Sequence, residues 1–147
     1  MPDVSMIGAN EVAPRLVAEL SLRSDEEIVR LRQVVRDQAI ARGFSLIDQT
    51  KFVTAASELA RNTLQHGGGG TAQLHVVVNG ARVGLRLTFT DAGPGIADVD
   101  QALGDGFSTG TGLGLGLGGS RRLCDEFTIE SQLGNGTKVI ITKWKTR

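Results

Sequence analysis

Glu58 and Asn62 stand four residues apart in the stretch ELARNTLQHGGGG, residues 58–70. On a helix that spacing puts a carboxylate and a carboxamide on one face. Four glycines, Gly67 to Gly70, follow and stop any such helix. Taken alone, the pattern also fits a helix whose charged residues simply face water. A second carboxylate, Asp91, opens DAGPG after an alternating apolar run. Gly93 and Gly95 let the backbone turn sharply there. The exposed carboxylate could then accept a hydrogen bond from an exocyclic amine, although an ordinary Asp-initiated turn has the same local sequence. GNGT at 134–137 reads first as a hairpin turn.

Glycine stands at 104, 106, 110, 112, 114, 116, 118 and 119 in the segment GDGFSTGTGLGLGLGG. Such a run is costly to order and useful where backbone must approach a ligand closely. Free N–H groups near a helix start suit phosphate. No G-x-x-x-x-G-K-[ST] occurs, so this is not a Walker A loop. Gly114, Gly116 and Gly119 spell G-x-G-x-x-G, but they follow a loop and not a strand, so the dinucleotide fingerprint fails its context. A flexible linker is the plain alternative. The interleaved leucines and a helix directly afterwards count against it.

These groups need elements to hold them. LVAELSLR reads as a strand near residues 16–22, after an aperiodic start that is either a loose extension or an extra strand. Ser24 and Glu27 form a capping box ahead of Ile28, Leu31, Val35 and Ala39 at helical spacing, and Gly43 ends that helix. Ser45 and Asp48 start the next, with Ile47, Val53, Ala56, Ala60 and Thr63 or Leu64 as its expected buried stripe. Glu58 and Asn62 fall off that stripe. TAQLHVVV and RVGLRLTF then alternate around Asn79-Gly80, a strong hairpin signal. At most a short helix follows near 98–103, then the glycine segment, a helix through SRRLCDEF, and two strands, FTIESQL and TKVIITKW, joined at 134–136. Hairpin strands with grouped helices predict an α/β (α+β) two-layer sandwich, a mixed sheet with helices on one face.

Bulk properties exclude several classes. The 147 residues suit one domain, and sixteen basic against sixteen acidic residues leave no field for nucleic acid or an anionic membrane. Few aromatics argue against base stacking. A single cysteine, Cys124, excludes an intrachain disulfide and a multi-cysteine zinc site. No apolar run approaches ~18 residues, and the start lacks the basic and apolar regions of a secretory leader. A cytoplasmic protein is the expectation.

In combination the motifs say more than any one does. E-x-x-x-N on a helix, D-x-G-x-G after a strand, a glycine-rich loop into a helix and G-x-G-T near the end occur in one order. This resembles the GHKL ATP-binding superfamily of gyrase-type topoisomerases, histidine kinases and anti-sigma kinases. SELARNT, DAGPGI and GFSTGTGLGLGLGGSRRLCDEF look like the RsbT-type switch kinases of bacterial stress signalling. The resemblance covers residues 16–147, with 1–15 as an N-terminal extension. It implies a Bergerat-type ATP-binding fold using ATP and Mg²⁺. Asn62 would hold the metal, one hard oxygen for an ion otherwise ligated by phosphates and water. Glu58 would take the proton of an attacking hydroxyl. Asp91, with Gly93, Gly95, Ile96 and Thr137, would hold the adenine end. Gly110, Thr111, Gly112, Leu113, Gly114, Leu115 and Gly116 would form a lid over the phosphates.

The resemblance also implies protein partners. A serine or threonine of a STAS-domain antagonist would accept phosphate, a PPM-type phosphatase would be activated by the freed kinase, and the whole could sit in a larger stressosome assembly. Neither nucleic acid nor membrane is expected. About 15 residues stand outside the ATP domain, too few for a histidine kinase's phosphoacceptor helices, so the acceptor is expected on another protein. Two alternatives share the motifs: an anti-sigma kinase that binds a sigma factor directly, and a nucleotide-binding interaction module without transfer. Arg61 has no assigned role. His66 is expected as a polar residue near the helix dipole, Arg121 and Arg122 as a solvated pair beginning the last helix, Cys124 as core, and Trp144 as core or rim.

Overall fold

The computed structural model describes residues 11–96, 99, 103 and 116–146. Five strands, β1 (Glu11–Leu22), β2 (Gly70–Asn79), β3 (Arg82–Asp91), β4 (Glu126–Ser131) and β5 (Thr137–Trp144), form one sheet in the order β1-β2-β3-β5-β4. Among the described residues three helices, α1 (Asp25–Ala41), α2 (Leu46–Gln65) and α3 (Gly116–Arg122), accompany it. Every strand pair is antiparallel. The two-layer α+β sandwich is as expected, but the sheet is not mixed. Two helices, not one, connect β1 to β2, so the chain returns in the opposite direction. β3 and β4 run the same way, but β5 lies between them.

Local sequence accounts for the element ends. The Ser24 hydroxyl accepts from Glu27 N–H at 3.4 Å, and the Glu27 carboxylate accepts from Arg23 N–H at 2.7 Å, one residue further back than in the usual capping box. α1 closes in a Schellman pattern: Phe44 N–H donates to Ala39 O and Gly43 N–H to Ile40 O, with Gly43 at φ 81°. Gly80, at φ 62°, turns the β2–β3 hairpin as Asn79-Gly80 predicts. β1 begins at Glu11, so Glu11, Val12 and Arg15 pair with β2, across an irregularity between Val12 and Arg15, and extend the strand expected from residue 16.

Alternation decides the two faces of the sheet. Ala72, Leu74, Leu85, Leu87, Phe89 and Ile141 point to the helices and join Phe52, Ala56 and Leu59 of α2 in the core. Ile47 is a correction: it is 68% exposed, whereas Asp48 is buried. Val53, Ala56, Ala60 and Thr63 are buried as expected, and Asp48, Phe52, Ala55 and Leu59 are buried with them. Ile47 instead lies in the row with Lys51, Glu58 and Asn62, at helical spacing.

Asp48 is buried because it has a partner. Its carboxylate accepts from the Thr146 hydroxyl and lies 3.7 Å from Lys143 Nζ, which is also 3.5 Å from Asp125. Burial pushes the Asp48 pKa up, but the Thr146 hydrogen bond, the Lys143 charge and Ser45 outweigh it and hold the pKa below 3.8. Cys124, beside this cluster in sequence, packs against the core as expected, and burial pushes its thiol up to about 12. The last helix starts within the glycine segment and ends at Arg122, so Arg121 and Arg122 close it instead of opening it. Trp144 is buried, but on the far face of the sheet. Val77, Gly84 and Trp144 stand there in one cross-strand row, and a Cβ on Gly84 would meet the indole at 2.8 Å. The Arg82 guanidinium covers the ring at 4.4 Å, and the indole N–H of Trp144 donates to Glu126 at 2.7 Å.

Candidate functional site

β3 delivers Asp91 to the sheet end where α2 also stops, and close backbone contact defines the place. A Cβ on Gly67, just past α2, would sit 2.4 Å from the Asp91 carboxyl carbon. One on Gly93 would meet Gly67 Cα at 2.6 Å, and one on Gly136 would meet Asp91 O at 2.2 Å. Only glycine fits at these three positions. Asp91 Oδ1 accepts from Gly93 N–H at 2.9 Å and from Thr137 N–H at 3.2 Å. Those two bonds fix the carboxylate plane. Oδ2 makes no hydrogen bond among the described residues and is available to a ligand amine.

The GNGT turn does more than close a hairpin. Gly134 N–H donates to Pro94 O at 2.9 Å, which ties the turn to the DAGPG loop. Gly95, at φ 77°, is packed so closely that a Cβ would lie 2.1 Å from Gln132 O. Ile96 N–H donates to the Ser131 hydroxyl at 2.8 Å, and that hydroxyl also touches Gly136 O and Thr137 Oγ1. A cleft of about 590 Å³ opens here, with Asp91, Val99, Ile129, Ser131 and Thr137 in its wall.

α2 carries the other two candidates toward the same end. Glu58 is half-buried and paired with Arg61 at 2.9 Å, which gives Arg61 a partner that the sequence did not. Asn62 is half-buried, and its carboxamide has no hydrogen-bond partner among the described residues. Its backbone carbonyl accepts from both His66 and Gly67 N–H and so ends the helix. Among the described residues no group of three His, Cys, Asp or Glu could hold a metal. An unpartnered amide oxygen fits an ion that takes one protein ligand and the rest from phosphate and water.

The structure therefore brings together Asp91, Gly93, Gly95, Ile96 and Thr137, and it sets Glu58 and Asn62 on the helix that ends against them. Gly110, Thr111, Gly112, Leu113, Gly114 and Leu115 lie outside the described residues; Gly116, at φ 69°, opens α3. Two residues of this site were not singled out by type: Gly67, whose missing side chain seats Asp91, and Ser131. The four-glycine run and the proximity of Ser131 to GNGT were the available signals. No helix among the described residues is long and apolar enough to cross a membrane.

Comparison with known proteins shows the family and the fold. Residues 47–147 match the family described as histidine kinase-, DNA gyrase B- and HSP90-like ATPases. The chain is 42% identical over 123 residues to the serine/threonine-protein kinase RsbT of Bacillus subtilis (strain 168), covering 84% of this chain and 92% of that protein. The structure resembles the RsbU and RsbW domains of Rv1364c from Mycobacterium tuberculosis, with a TM-score of 0.61 and 19% identity over 92% of this chain. This chain spans 34% of that one, and the likeness is one of fold.

Proposed function

Because the chain belongs to the histidine kinase-, DNA gyrase B- and HSP90-like ATPase family, and within it is a homologue of the serine/threonine-protein kinase RsbT, we propose that it phosphorylates a STAS-domain antagonist in a partner-switching module. Family membership implies ATP binding; Mg²⁺, the acceptor and the residue roles belong to this reading. The observation that carries it is Asp91. One of its oxygens is anchored by two backbone N–H groups, the other is left as an acceptor, and the residue lines a cleft.

On this reading residues 16–147 form the kinase domain. Asp91 Oδ2 accepts from the exocyclic amine of adenine, with Thr137, Gly93, Gly95 and Ile96 around the base. Asn62 offers its amide oxygen to Mg²⁺, which neutralises phosphate charge when bound. The acceptor serine or threonine oxygen attacks the γ-phosphorus, the bond to the bridging oxygen breaks, ADP leaves, and Glu58 takes the hydroxyl proton. Arg61 pairs with Glu58 across a partly exposed surface, a contact worth about 0–1 kcal/mol, so it can orient the base without preventing its use. Phosphorylation then releases the kinase to bind a PPM-type phosphatase.

A paired assay tests this reading. Glu58→Gln keeps size and shape but cannot take a proton, so it should bind Mg-ATP and the STAS protein while transfer falls by about 10²–10⁴. Transfer at the parent rate would remove Glu58 from the chemistry.

A further inference from the structure

Ser131 ends β4 in the cleft wall, and its hydroxyl touches three groups: Ile96 N–H at 2.8 Å, Gly136 O at 3.0 Å and Thr137 Oγ1 at 2.8 Å. A serine hydroxyl has one proton and two acceptor sites. The Ile96 amide can only donate and takes one acceptor site. The Gly136 carbonyl can only accept and takes the proton. What remains on Ser131 is one acceptor site, so Thr137 must donate its own proton there. The opposite direction would set two bare oxygens 3.0 Å apart and leave one bond unmade. With its proton spent on Ser131, Thr137 Oγ1 has only lone pairs to offer a ligand.

We infer that Ser131 is a positioning residue for base selection: it fixes the Thr137 hydroxyl as an acceptor, so that this oxygen and Asp91 Oδ2 together favour a base edge that donates. This rests on the ATP-binding reading above. An adenine amine matches two acceptors; a guanine or hypoxanthine carbonyl at the same position meets them with like charge. Ser131 touches no base itself. It acts through Thr137, and through Ile96 it holds the DAGPG loop against the β4–β5 turn.

Titration of the full chain with Mg-ATP, Mg-GTP and Mg-ITP tests the inference. The parent should prefer ATP. Ser131→Ala frees the Thr137 proton to point at the ligand, so the ATP-to-GTP affinity ratio should fall by about tenfold, a typical single hydrogen bond. Ser131→Thr, which keeps the hydroxyl, should restore it. An equal loss of affinity for all three nucleotides would reduce Ser131 to a structural role and overturn the inference, as would an unchanged ratio. If Ser131→Ala does not fold, Thr137→Val removes the directed oxygen itself, and undiminished discrimination in that variant overturns the inference equally. A parent that binds ATP without preferring it overturns the inference and leaves the kinase reading standing. A parent that binds no nucleotide overturns both.

Discussion

Two aspartates sit at opposite ends of this molecule, and their surroundings differ in one respect. Asp48, at the start of α2, spends its carboxylate on Thr146 and Lys143. Asp91, at the end of β3, is held as firmly by two backbone N–H groups, but on one oxygen only. The first is a closed ionic network between α2 and the C-terminal strand. The second is a half-closed one, in a residue that lines a cleft. Burial and fixation alone do not mark a functional carboxylate. Acceptor capacity left over after fixation does.

Perturbing the closed end should cost the most stability. Lys143→Met leaves buried Asp48 without its counter-charge, and loss of one partner from a buried pair typically costs about 3–5 kcal/mol. Urea unfolding should show that loss, with ATP affinity unchanged below the transition. Adding Asp48→Asn should recover part of it. If Lys143→Met is as stable as the parent, the network is ornamental and the contrast fails.

Asp91→Asn sharpens the other side. The amide oxygen can replace Oδ1 and keep both backbone bonds, while an amino group replaces the free acceptor. Stability should barely move, and ATP should bind more weakly by about 1–3 kcal/mol, with GTP gaining relative to it. Competition titration reads both. A parent and variant with the same preference would take Asp91 out of the site.

Acid separates the two ends more gently. The Asp48 pKa is held below its ordinary 3.8 in the fold, so its contribution is fully present above the unfolded value and disappears as pH falls through the folded one. Between those values the unfolded chain binds more protons, and stability rises with pH. Asp48→Asn should therefore flatten the acid limb of the stability curve below about pH 5 without changing its neutral slope. The smallest effect concerns Cys124. With its thiol near 12, alkylation at pH 8 should be slow in the native protein and become rapid only on unfolding. Fast native labelling would show that this end opens more readily than its ion pairs suggest.

Much of this could be read without coordinates. The caps at Ser24 and Ser45, the Asn79-Gly80 hairpin and the shared face of Glu58 and Asn62 are local patterns, and local chemistry produces them. The errors needed distant partners. Ile47 is more apolar than Asp48, yet Asp48 is the buried one, because its cation comes from Lys143 on the last strand. Trp144 is buried as an aromatic should be, but the face it occupies follows from its register with Gly84. The role of Ser131 depends on three groups brought in from two loops. The direction of the sheet was legible too: both helices between β1 and β2 can be read from their caps and period, and two helices return the chain antiparallel, a step that the expectation of a mixed sheet did not take.

The stacked indole on the far side of the sheet has an optical consequence. The chain has one tryptophan and no tyrosine, so its indole emission comes from Trp144 alone. Its ring lies over Gly84 beneath Arg82, with its N–H on Glu126, away from Asp91 and α2. Intrinsic emission is therefore a built-in channel for the β3–β5–β4 surface: nucleotide filling the cleft should leave its colour unchanged, whereas a protein that displaces Arg82 from the ring should shift it. Partner docking can thus be followed in the presence of nucleotide without a dye.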